Sequence, residues 1–137
     1  MLRNQAMNKD NRDLSVLLRD IDYFTEAPKV TWTSPKRLDN GALTFGYPVY
    51  HEAVDRLTDG FYTGGFFDFD YARRLNELNL NGPDDGLRYI PKAPIEDVLT
   101  ILSAIIRSER FCEGEIAEAI ESGVIGSALL RIKELTD

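Results

Sequence analysis

The chain has 137 residues, 43% hydrophobic and 10% aromatic, which suits one folded domain burying about two-thirds of its surface. Its formal net charge of −7 argues against a non-specific nucleic-acid binder, because neutralising phosphates takes a basic stripe. A single cysteine excludes an intrachain disulfide. The longest apolar-leaning run, 98–106, is about half the ~20 residues of a membrane helix.

With no apolar leader in its first residues, the chain reads as a soluble, cytoplasmic protein without membrane association. The charge is positive over 1–37, negative over 38–94 and more negative over 95–137. An acidic face suits a basic protein partner, and equally suits simple solubility.

Residues 1–12 read as a flexible polar tail and 13–137 as one globular domain. Leu14, Leu17, Leu18, Ile21 and Phe24 recur at helical spacing, predicting a helix over 13–26 that Asp13 caps and Pro28 ends. Val30 to Thr33 reads as a strand, Asp39-Asn40-Gly41 as a hairpin turn and Ala42 to Phe45 as the returning strand. A second helix is predicted over 49–62, with Tyr50, Val54, Leu57 and Phe61 as its apolar stripe. Gly64-Gly65 breaks it before the aromatic segment Phe66 to Tyr71.

A short helix through Arg73, Leu75 and Leu78 follows, and the glycines and prolines of 81–94 read as loop. Pro94 suits the first turn of a helix from Ile95, and Glu96 and Asp97 match its dipole. Apolar residues cover that helix nearly all round, which predicts a central position or burial in an oligomer. After a hinge at 110–114 come a helix over 115–122, a left-handed cap at Gly123 and a final helix from Val124. The expected fold is mainly α: a single compact domain of about five to six helices with a small β-hairpin after the first, α+β being the fallback.

Tyr47-Pro48-Val49-Tyr50, Phe67-Asp68-Phe69 and Arg110-Phe111-Cys112-Glu113-Gly114, with Glu121-Ser122-Gly123 behind, resemble an uncharacterised family of small bacterial and phage proteins, known only as a domain of unknown function. The likeness extends over about 13–135, and Phe69 stands where the family pattern has Trp. It implies a mostly helical fold and no activity, cofactor or catalytic residue.

Arg107 and Arg110 lie three apart and can face one way, with Asp68 as the obvious partner. With Tyr50 they form either an anion- or partner-binding pocket or an ion-pair cluster that positions the aromatic segment, and the second reading is favoured. His51 to Asp55 imitates a zinc-protease helix, but His51 is the only histidine. Asp68 and Asp70 offer a divalent cation too few ligands. Cys112 lies beside Arg110, which lowers a thiol pKa, yet burial beside Phe111 is the simpler account.

The last two helices have the spacing of a DNA-binding pair, which Glu113, Glu115, Glu118 and Glu121 oppose by charge. No cofactor or metal is expected. The reading that remains is a non-catalytic interaction or regulatory module, such as a phage or bacterial accessory protein or inhibitor, whose acidic surface (Glu115, Glu118, Glu121) meets a basic protein partner. A homodimer is compatible with the strongly apolar helix. The alternative is a small hydrolase or nucleotide-acting enzyme built on Asp68, Asp70, Arg107, Arg110 and Glu113.

Overall fold

The computed structural model describes residues 12–26 and 30–137. The Asp13 carboxylate accepts from the Ser15 N–H and caps the helical segment it was expected to start. That segment is two pieces, a 3-10 helix at Leu14–Leu18 and then α1 at Ile21–Thr25. The 3-10 turn stacks Leu14 over Leu17, and the break sets Asp20 against Arg56 at 2.8 Å while Phe24 still points inward. The expected stop at Pro28 and all of the expected tail except Arg12 lie outside the described residues.

β1, Thr31–Trp32, pairs antiparallel with β2, Pro48–Val49, with Thr31 opposite Val49 and Trp32 opposite Pro48. The turn sits where expected: Asn40 Oδ1 accepts from the Ala42 N–H and Gly41 has φ +86°. The return strand does not. Only an Arg37–Leu43 bridge forms near the turn, and regular pairing resumes beyond Pro35, which has no N–H for the ladder. The outcome is a long, irregular arm from Val30 to Val49.

α2, Glu52–Thr63, starts later than the apolar spacing implied because His51 caps it, Nδ1 accepting from the Ala53 N–H at 3.0 Å. Val54, Leu57 and Phe61 face the core as predicted. α3, Tyr71–Leu78, is followed by α4, Pro83–Tyr89, and a 3-10 turn, Ile90–Lys92. The stretch expected as loop is thus largely helical. Pro83 occupies the first turn of α4, where its fixed φ is an advantage, and Asp84 and Asp85 suit the positive end of the dipole.

α5, Ile95–Ser108, is the central helix, packed against α3, α6 (Glu115–Glu121) and α7 (Val124–Thr136). Val98, Leu99, Leu102 and Ile106 anchor the core from it. α7 also crosses α1, so closely that a Cβ on Gly126 would lie 2.5 Å from the Phe24 carbonyl oxygen; no other residue fits there. Seven α-helices and one two-stranded sheet make the described residues mainly α, as expected, with α4 the unanticipated helix. None of these helices is long and apolar enough to cross a membrane.

Candidate functional site

The central helix carries a polar stripe, Asp97, Thr100 and Ser103, at a spacing of three, all three buried. The two hydroxyls donate to carbonyls of their own helix, Thr100 to Glu96 at 2.8 Å and Ser103 to Leu99 at 2.7 Å, and the segment after Phe66 adds further partners. The Asp68 N–H donates to Ser103 Oγ at 2.8 Å, and the Asp68 carboxylate accepts from Thr100 Oγ1 at 2.7 Å and from the Asp70 N–H at 2.8 Å. Arg74 on α3 bridges two acids, reaching Asp68 at 3.1 Å and Asp97 at 2.6 Å, while the Tyr89 hydroxyl donates to Asp97. Burial pushes the Asp68 carboxyl up. The bonds from Thr100, Asp70 and Arg74 outweigh it and hold the group below the usual carboxylate range.

This is the ion-pair cluster expected of Asp68, with a different arginine. Arg107 and Arg110 take no part: among the described residues neither is in an ion pair, and they lie over the rings of Phe111 and Tyr62 at 5.7 and 5.8 Å. Asp70 pairs locally with Arg73, and Glu113 is exposed. Phe69 and Phe111 are exposed too, so they seal nothing. Asp68, Asp70, Arg107, Arg110 and Glu113 therefore do not converge on one pocket. Among the described residues no buried side-chain nitrogen or oxygen is left without a partner.

Tyr50 belongs to a separate group at the hinge. Its hydroxyl donates to Glu109 at 2.9 Å and accepts from the Ala117 N–H at 3.2 Å. The Glu109 carboxylate also accepts from the N–H groups of Gly114 and Ile116, the latter at 2.8 Å, and so caps the start of α6. Burial, then the Glu109 hydrogen bond and charge, push the Tyr50 hydroxyl far above its usual range. Gly114, with φ +103°, makes this turn and carries the Trp32 ring on its open face.

Cys112 is exposed, contrary to the expected burial beside Phe111. The Glu115 carboxylate, then partial desolvation, raise its thiol pKa, which is the reverse of activation by Arg110. His51 spends Nδ1 on its cap and stacks on Tyr23 at 4.5 Å. No cluster of three metal-ligating side chains occurs among the described residues. Arg131, one of two basic residues on the helix that would read DNA, donates instead to the Ala93 carbonyl at 2.9 Å.

A cleft of about 360 Å³ lies between α3, α4, α5 and α6. Leu75, Leu80, Pro83, Ile101, Ala104 and Ile105 form its apolar wall, and Ser108, Glu115 and Glu118 its polar side. Its size lies in the range of binding pockets. Two of the three acidic residues singled out from sequence are here. The third, Glu121, faces the Val30 N–H at 3.5 Å, at the root of the arm. Among the described residues no arginine or lysine lines the cleft.

The cleft was not visible in the sequence because α4 forms one wall and read as loop. Arg74 and Glu109 were missed as well. The hydroxyls interrupting the apolar helix were the available signal for the first. For the second it was a glutamate directly before a glycine-ended turn.

A protein-family model described as "Family of unknown function (DUF6508)" matches residues 9–137. Comparison with curated proteins and with solved structures gave no match.

Proposed function

The chain belongs to DUF6508, a family of unknown function, and from that premise we propose that it is a non-catalytic interaction module whose cleft receives a basic, amphipathic segment of a protein partner. The observation that carries this reading is the cleft itself, an apolar trough with Glu115 and Glu118 on one side and no cation among the described residues of its lining. A helix or strand with alternating apolar and Lys/Arg positions matches that surface by the same logic as helix-in-groove recognition. The apolar side chains bury against Leu75, Ile101 and Ile105, and the cations meet the two glutamates. Partner choice then comes mainly from charge, and affinity from burial. In its narrow form the module is a phage or bacterial accessory protein that occupies a nucleic-acid-binding surface of another protein.

The test uses a fluorescein-labelled amphipathic Lys/Leu peptide beside a Lys/Ser peptide of equal charge, read by anisotropy. The wild-type chain binds the first and not the second. Glu115→Gln with Glu118→Gln weakens binding about ten-fold, as two partly exposed charge pairs allow. Ala104→Trp, which fills the trough and leaves the charge unchanged, abolishes it. Equal binding of both peptides would show general attraction to an acidic protein and defeat the reading.

A further inference from the structure

The arm between Val30 and Val49 leaves large apolar side chains in water: Leu43 is 61% exposed, Phe45 90% and Val49 49%. A run of this kind on a small protein marks a contact surface. Among the described residues its two short strands pair only with each other, which leaves their outer edges open. Lys36 and Arg37 lie beside the apolar side chains, against one carboxylate near the turn, Asp39, and all three are exposed. The arm is therefore basic and amphipathic, the composition the cleft is suited to.

We propose that the arm of one copy docks in the cleft of a second copy, and that two copies exchange arms reciprocally about a two-fold axis. This rests on the cleft being a site for basic amphipathic segments and names the segment. The arm does not cover its own cleft. Its root is held on one face of α6, with Trp32 against Gly114 and Val30 facing Glu121. No arm residue is among those lining the cleft, whose polar side Glu115 and Glu118 of the same helix supply. From the pairs at the root to the Arg37–Leu43 bridge the arm extends about 20 Å at ordinary strand rise, enough to cross to a neighbour. Root and cleft share one short helix, so both reciprocal contacts gather around the two α6 helices. A reciprocal exchange about a two-fold axis is isologous and closes at two copies instead of continuing as an open chain.

Sedimentation equilibrium of the full chain, over micromolar to near-millimolar concentration, tests the proposal. The wild-type chain should be a dimer that the Lys/Leu peptide dissociates. Phe45→Glu, at an exposed position that leaves the core untouched, and Ala104→Trp should each give a monomer. Mixing those two variants should restore a weaker heterodimer, because one arm and one cleft remain intact; misfolded chains would not complement. A wild-type chain that stays monomeric, or a dimer that survives both substitutions, overturns arm exchange. If such a chain still binds the peptide in an Ala104-dependent way, the cleft reading stands without its second copy; if it does not, both fall.

Discussion

Replacing Arg74 with Met should expose how the segment after Phe66 is held on the central helix. The guanidinium makes two charge-assisted contacts, at 3.1 Å to Asp68 and 2.6 Å to Asp97, with side-chain exposures of 28%, 18% and 10% for the three residues. Breaking a fully buried pair from one side costs roughly 3–5 kcal/mol, since a charge is left behind. The residual exposure of Arg74 allows water to screen part of that, so about 3 kcal/mol is expected. For a chain of this length that lowers Tm by about 10–15 °C. The pH dependence carries the sharper information. The Asp68 carboxyl is held below its unfolded value, so its contribution is present above the unfolded pKa and lost as pH falls through the folded one. Without Arg74 the charged Asp68 is less favoured, and the variant loses less stability on acidification than the wild type. Urea unfolding followed by far-UV circular dichroism at neutral pH and at about pH 2–3, below the unfolded carboxylate value, measures both. A difference under about 1 kcal/mol, or one that does not shrink with acid, would mean the bridge is an ordinary screened surface pair and refute the argument.

Glu109→Ala should cost about 3 kcal/mol, because the Gly114 and Ile116 N–H groups and the Tyr50 hydroxyl lose a charged acceptor, while Glu109→Gln keeps part of it; chemical unfolding of both variants decides. Gly114→Ala forces an L side chain into φ +103° with Trp32 at 3.1 Å, which predicts a loss of about 1–2 kcal/mol and a changed fluorescence from the only tryptophan. Cys112 should alkylate more slowly than a free cysteine near pH 8, and Glu115→Gln should speed it, as followed by mass spectrometry with iodoacetamide.

Much of the fold was legible because the signals are local. The spacing of Ile95, Val98, Leu99 and Leu102 defines the central helix without reference to the rest of the chain, and Asp13, Asn40 and Gly123 act within one turn of themselves. Pro83 misled because proline starts helices as readily as it ends loops, and which applies depends on what α4 packs against. The site was harder to read for a physical reason. Asp68 has several arginines within plausible reach in the sequence, and Arg74 wins because α3 packs against the polar stripe of α5. Thr100 and Ser103 were an ambiguous signal, since each hydroxyl also donates to a carbonyl of its own helix, Glu96 O at 2.8 Å and Leu99 O at 2.7 Å. Arg107 and Arg110 went to aromatic rings, a contact that sequence spacing does not rank against an ion pair.

Amide and methyl NMR of the full chain titrated with the Lys/Leu peptide tests the central claim most directly, because it reports where the peptide sits. The account predicts that the largest shifts fall on Ile101, Ala104, Ser108, Glu115 and Ala119, the residues of the cleft. Shifts centred on Tyr62, Phe69, Arg110 and Phe111, with the cleft unmoved, would contradict it and assign binding to the exposed aromatic surface beside Arg107 and Arg110.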